Sequence, residues 1–422
     1  MKYAIIIADG AADMPIAALG GRTPLQVART PGMDRVAQMG RLGTARTTPE
    51  GWQAGSDVCT MSLLGYDPTV YHTGRAPLEA ASLGVPMGGA DWVFRVNLVA
   101  VGQEGSAEEG LMLDHSAGGI SDAEARVLLG DLEGFWRLRE PELMSGLGVY
   151  PGVSYRGILL DRSGRGYVGV RTVPPHEIPG LGWDAHLPHG SGPANASSDV
   201  LCRLMELSAE FLPSHAVNAA RVGAGKRPAN MVWIWGGGTR PAMPSFQSRF
   251  GLSGAMTTAV DLLSGLAALI GWKRLVVPGA TSYADNDYAG QGRAACGALD
   301  VCDVVCCHVE APDELSHQGD FAGKVQALEA IDTHVVLPVL RKLEGEGEDW
   351  RVLVMPDHYT LCGTRKHDAT PVPFAMAGKF VRGHRTGPFD EVNAGESDLH
   401  IAHGHELMEF FLRGGLASVK GR

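Results

Sequence analysis

The sequence predicts an α/β fold with a mostly parallel sheet, helices on both faces, and a second, α+β domain inserted into it. Three observations predict this. Short apolar runs look like buried strands, three of them leading to carboxylates, and helical apolar periodicity lies between the runs. The middle of the chain changes texture to glycine- and proline-rich turns between short alternating segments.

Residues 3–8 form the first strand. The stretch 1–9 carries one lysine and no small-residue cleavage site, which separates it from a signal peptide. Pro49 and Gly51 precede Gly55-Ser56-Asp57-Val58, and 58–64 has a helical pattern, so Ser56 sits at a helix N-terminus. Its hydroxyl there is either a helix cap or a nucleophile facing an anion. From about 88 to 253 the segments are short (95–101, 157–160, 167–173, 232–235). Glycine-rich crossings near 85–90 and 250–254 give a core of 1–87 with 254–422 and an insert of 88–253. The core resumes with a helix over 256–270 and a strand over 274–278. A strand over 304–309, a helix over 324–343 ending in Arg341 and Lys342, and a strand over 352–355 follow. Residues 344–349 read as a solvated turn, and the last twenty as a helix that becomes basic and frayed.

The chain has 422 residues, 45% of them hydrophobic, enough for more than one core. A formal charge of −11 excludes non-specific binding to nucleic acid or acidic membranes. No apolar run reaches the length of a membrane span. The seven cysteines show no C-x-x-C spacing, as expected of reduced thiols in a cytoplasmic protein, monomeric or a small homo-oligomer.

The chemistry lies at the strand ends. Asp9-Gly10 follows the first strand. Glu310-Ala311-Pro312-Asp313, with His317 four residues on, follows 304–309, and Pro356-Asp357-His358 follows 352–355. Parallel sheets bind ligands beyond the carboxyl ends of their strands, so one rim collects carboxylates and imidazoles. Clustered carboxylates repel, divalent cations remove the repulsion, and mixed Asp/His ligation suits zinc or manganese better than calcium. Taken singly, each Asp is equally a helix cap. His367, before Pro371-Val372-Pro373, is a further candidate ligand. Arg75, Arg95, Arg156, Arg221, Lys226, His115 and His176 are candidate substrate contacts, against the alternative of solvated charges. Trp233 and Trp235 read as insert core. Gly236-Gly237-Gly238 lacks the Lys-Ser/Thr of a nucleotide-binding loop.

Together these motifs resemble the cofactor-independent phosphoglycerate mutases of the archaeal type, within the alkaline phosphatase superfamily. The resemblance runs through Ile7-Ala8-Asp9-Gly10, Gly55-Ser56-Asp57 with Leu64-Gly65-Tyr66-Asp67-Pro68, and Gly74-Arg75-Ala76-Pro77-Leu78-Glu79-Ala80. It continues in Phe94-Arg95-Val96-Asn97, Val309 to Glu314 with Ser316-His317, Pro356-Asp357-His358, and His367. It implies an alkaline-phosphatase-like core and two divalent metals (manganese, magnesium or zinc). Asp9, Ser56, Asp357 and His358 would hold one, and Asp313, His317 and His367 the other. It also implies a phosphoserine on Ser56 and a lid-like insert that supplies cations to a small phosphorylated or hydroxylated metabolite; Arg75, Arg95, Arg156 and His176 are the expected contacts. Where the mutases carry an arginine pair, this chain has Asp114-His115-Ser116-Ala117-Gly118. Segments such as 150–156, Pro174-Pro175-His176, Ile234-Trp235-Gly236 and Pro278-Gly279-Ala280-Thr281 resemble a bacterial branch proposed to be homoserine kinases. A homoserine phosphotransferase is therefore the alternative enzyme, and a non-catalytic metal-binding protein the alternative class.

Overall fold

The computed structural model describes residues 1–102, 105–192, 194–345, 347, 349–383 and 387–414. The expected turn at 344–349 lies partly, and the basic end largely, outside the described residues. In chain order the strands are β1 (Lys2–Ala8), β2 (Arg41–Ala45), β3 (Trp92–Val101), β4 (Met112–Asp114), β5 (Leu147–Pro151), β6 (Arg156–Asp161), β7 (Met231–Thr239), β8 (Gly254–Thr257), β9 (Lys273–Arg274), β10 (Val304–Val309), β11 (Trp350–Met355), β12 (Tyr359–Leu361), β13 (Lys366–Asp368), β14 (Val372–Gly378) and β15 (His400–Ile401). The chain divides into two compact units, 1–72 with 243–422, and 73–242.

The first unit is built on an eight-stranded sheet of order β15-β2-β14-β11-β1-β10-β8-β9. β1 runs parallel to both β10 and β11, and β14 is antiparallel to its two neighbours. Burial on both faces explains the unbroken apolar runs: Ala4, Ile6 and Ala8 pack into one core cluster with Met33, Val36, Leu328 and Ile331. Tyr3 points the other way, its ring 5.9 Å from Phe411 on a helix covering the opposite face.

The second unit is a five-stranded antiparallel sheet in which β3 pairs β4, β6 and β7. Phe94, Val96 and Leu98 of β3 pack toward the helices Asp122–Arg139 and Ala194–Phe211. Val93, Ile158 and Leu160 pack toward Ala76 and Ala80 of the helix Arg75–Ser82.

Several expectations are corrected. The units part at 72/73 and 242/243 rather than 87/88 and 253/254, because the helix Arg75–Ser82 lays small side chains on the second unit's sheet, a weak apolar signal. The expected strand 274–278 is only β9, at the sheet edge, and Val276 is 89% exposed. Met256 and Thr257 lie in β8, and the helix begins at Asp261. The expected helix 324–343 widens into a π turn over Asp332–Val336, where Pro338 supplies no amide to the ladder. Residues 167–173 form no strand beyond a bridge from Arg171 to His189.

Gly40 joins the helix Pro31–Met39 to β2 at φ −137°, ψ −131°, and a Cβ there would lie 1.9 Å from the Met376 carbonyl oxygen of β14. Gly40→Ala should lower the unfolding free energy by about 2 kcal/mol or more in urea titrations; an unchanged midpoint would show that β2 and β14 separate easily.

Candidate active site

Asp9 follows β1 with no solvent exposure. Gly10, at φ +59°, turns the chain beneath it; a Cβ at that glycine would lie 2.5 Å from the Thr360 hydroxyl and 2.7 Å from Asp313 Oδ1. Ser56 opens the helix Ser56–Leu63, with Gly55 as N-cap. Its hydroxyl does not cap the helix. It donates to Asp9 Oδ2 at 3.1 Å and lies 3.3 Å from His358 Nε2. Asp357 and His358 follow β11, both fully buried. Asp357 Oδ1 accepts from the Gly10 and His358 amides, and Asp357 Oδ2 lies 3.5 Å from His358 Nε2.

A second cluster adjoins the first. Asp313 and His317 occupy successive turns of the helix Ala311–Gln318, which brings Asp313 Oδ2 within 3.2 Å of His317 Nε2. His367, on β13, places Nε2 3.4 Å from Asp313 Oδ1 and 2.9 Å from His317 Nε2. Nδ1 of His317 donates to the Arg365 carbonyl, and Nδ1 of His367 to the Ala54 carbonyl. Both rings therefore turn their Nε2 atoms toward one point beside a carboxylate, the orientation that metal ligands fixed by a second sphere adopt.

Thr360 joins the clusters. Its hydroxyl donates to Asp313 Oδ1 at 2.5 Å and accepts from His358 Nδ1 at 3.1 Å, leaving His358 Nε2 free to ligate. Lys324, fully buried, holds the Thr360 carbonyl at 2.8 Å and Asp13 Oδ2 at 3.1 Å. Neither residue stood out in the sequence: a threonine two places after Asp357-His358 and a lysine inside a helical pattern read as ordinary.

The electrostatics demand positive charge. Burial, then the Asp357 and Asp313 charges, push Asp9 well above the usual carboxylate range. Burial also opposes ionisation of Asp313, but hydrogen bonds from His317 and His367 outweigh it and hold that carboxyl low. Asp9 Oδ1 and Asp357 Oδ2 are buried with no hydrogen-bond partner. Such orphaned oxygens are costly unless a cation meets them. Asp9, Asp357 and His358 form one group with ligand geometry, and Asp313, His358 and His367 another. The donor set fits divalent cations.

The four expected substrate contacts lie in the 73–242 unit. Arg95 donates through Nε and Nη2 to both oxygens of Glu79 and stacks 4.1 Å over Trp235. The His176 ring is 5.6 Å from Trp235 and 6.1 Å from His115, which lies 5.8 Å from Tyr155. Arg156 sits over Tyr155 at 5.6 Å, with a buried Nε that has no partner. Burial lowers the basicity of His176, and the charges of Arg95 and Arg75 add to this. Arg221 is structural: it binds the Ala117 and Arg227 carbonyls and Glu124. Trp233 and Trp235 are both insert core, and Trp235 also carries Arg95 and His176 on its ring.

Among the described residues no helix is long and apolar enough to cross a membrane. Residues 37–218 match the family model described as 2,3-bisphosphoglycerate-independent phosphoglycerate mutase. A curated protein of that name from Methanothrix thermoacetophila is 45% identical over 98% of this chain and 100% of its own length. A second, from Methanothermobacter thermautotrophicus, is 45% identical over 98% and 97%. The solved cofactor-independent phosphoglycerate mutase of Thermoplasma acidophilum aligns over 98% of this chain and 100% of its own, with TM-score 0.69 and 26% identity.

Glu391 supports the loop after β1, accepting from the Asp13 amide and the Thr23 hydroxyl. Burial pushes its carboxyl up to about 7 from an ordinary 4.5. The folded state thus binds more protons between those values, and stability should fall as pH rises across that window. Glu391→Gln should flatten this dependence by about 1–3 kcal/mol in denaturant titrations at pH 5 and pH 8; equal slopes in both proteins would refute the assignment.

Proposed function

We propose, since this chain belongs to the 2,3-bisphosphoglycerate-independent phosphoglycerate mutase family, that it interconverts 3- and 2-phosphoglycerate through a phosphoserine on Ser56. The observation that carries this reading is the convergence of the Ser56 hydroxyl, Asp9, Asp357 and His358 beside Asp313, His317 and His367.

Asp9, Asp357 and His358 with Ser56 would hold one divalent cation, and Asp313, His317 and His367 the other. Bound there, the two ions would lower the pKa of the serine hydroxyl and offset charge on the phosphoryl oxygens. The chain's own groups do the rest. The Ser56 proton leaves along its bond to Asp9 Oδ2. Ser56 Oγ forms a bond to phosphorus as the ester bond to the 3-oxygen breaks, and that oxygen takes up the proton given up by Ser56. The free amides at the start of the helix Ser56–Leu63 favour the transferring anion. The steps then reverse onto the 2-oxygen of the same glycerate. Arg75, Arg95, Arg156 and His176 would recognise the substrate's anionic groups, with Arg156 Nε the donor still lacking an acceptor.

A homoserine phosphotransferase is not favoured, because relatives matched along the whole chain carry the mutase name. The seven free thiols, five of them buried, suit a cytoplasmic enzyme.

In a coupled assay of 3-phosphoglycerate with added manganese, Ser56→Ala should lower kcat by roughly 10^4-fold or more. Surviving turnover, or phosphorylation of homoserine in place of it, would remove the mutase mechanism. Arg156→Ala should raise KM by about tenfold with a smaller change in kcat, the loss of one charge-assisted hydrogen bond; an unchanged KM would assign Arg156 to structure.

A further inference from the structure

One face of the sheet in the 73–242 unit gathers the expected substrate contacts. Arg95 and Asn97 stand two places apart on β3 and so point to the same side. In register, Asn97 opposes Arg156 of β6, and Arg95 opposes Trp235 of β7. The helix Arg75–Ser82 packs on this face over Val93, Ile158 and Leu160, and its Glu79 reaches Arg95.

Arg95 and Asn97 are the two strongly polar residues of the ten-residue strand β3. Asparagine is disfavoured in strands, so its side chain there calls for specific partners. Asn97 is 3% exposed. Its Oδ1 accepts from Trp235 Nε1 at 3.0 Å, and its Nδ2 donates to the His115 carbonyl at 3.2 Å. These partners fix which way the amide points, because an indole N–H only donates and a carbonyl only accepts. One planar group therefore ties β7 to the turn after β4. Trp235 carries the Arg95 guanidinium 4.1 Å from its ring centre, and the His176 ring meets it at a steep angle from 5.6 Å. His115, held by the other half of the amide, packs against Tyr155 and lies 6.1 Å from His176.

We propose that Asn97 is a positioning residue for substrate binding. By fixing the indole of Trp235 and the backbone of His115, it holds Arg95 and His176 in the arrangement that meets the substrate's anionic groups. Asn97 itself acts only through these neighbours. The proposal rests on the mutase reading, with Arg95 and His176 as substrate contacts. Removing the amide leaves a buried indole N–H and a carbonyl unpaired, and each then turns toward other partners. Ser56 and the residues around it belong to the other unit, so the loss falls on KM more than on kcat.

The test is steady-state kinetics with 3-phosphoglycerate. Asn97→Ala should raise KM by roughly tenfold and lower kcat by less than about threefold. Trp235→Phe keeps an aromatic face for Arg95 and removes the N–H, and it should raise KM by about threefold. The double variant should be no worse than Asn97→Ala, since both changes cut the same bond. Effects that multiply in the double variant overturn the proposal. So does an unchanged KM in Asn97→Ala, which with a lowered unfolding midpoint leaves Asn97 a part of the fold alone. Should Asn97→Ala not fold, Trp235→Phe decides: a raised KM supports the role, and an unchanged one overturns it. A wild type that does not turn over 3-phosphoglycerate overturns the mutase reading and this proposal together, whereas an active wild type matched in KM by Asn97→Ala overturns this proposal alone.

Discussion

The structure depends on how buried negative charge is compensated at one edge of a sheet. Asp9, Asp357, Asp313 and Glu310 converge where water is excluded, and no arrangement of backbone donors meets all their oxygens. Isolated, each would take up a proton. Imidazoles whose outer nitrogens are tied to carbonyls or hydroxyls face these carboxylates, and cations between them would let the carboxylates stay charged. The surrounding framework serves that end. Lys324 fixes the backbone of Thr360, Thr360 fixes Asp313 and His358, and Gly10 clears the space they need.

Legibility in the sequence follows from how each residue announces its environment. Asp9, Asp313 and Asp357 stand at the ends of apolar runs, and a carboxylate there has few roles besides capping and ligation. His317 and His358 gain meaning from spacing to those carboxylates. Thr360 and Lys324 carry no such mark, because their roles come from partners on other elements, Asp313 for Thr360 and Asp13, 311 residues away, for Lys324. His308 was legible in principle: it is the one strongly polar side chain in the run Val-Val-Cys-Cys-His-Val, and a fully buried imidazole there needs partners on both nitrogens.

The fold was read best where both faces of a strand are buried, and least well at edges. β9 and the coil after it show why, since apolar residues at an edge have no second neighbour to hold them in the ladder. The helix Arg75–Ser82 shows the converse. Alanines let a helix lie close on a sheet, and such packing leaves little trace in hydropathy. In the 73–242 unit, Arg95 is fixed twice, by Glu79 and by the face of Trp235, so its guanidinium is oriented before any ligand arrives.

The position of β1 bears on how the molecule is assembled. Both neighbours of β1, β10 and β11, are synthesised some three hundred residues after it. The 73–242 unit has all its strands in hand long before that. Nascent chains thus carry β1, apolar from Ala4 to Ala8, without its partners until β10 and β11 are made, and the central pairing closes a very long loop. The rim that gathers Asp9, Asp313 and Asp357, drawn from segments some three hundred residues apart, can close only once β10 and β11 have been made.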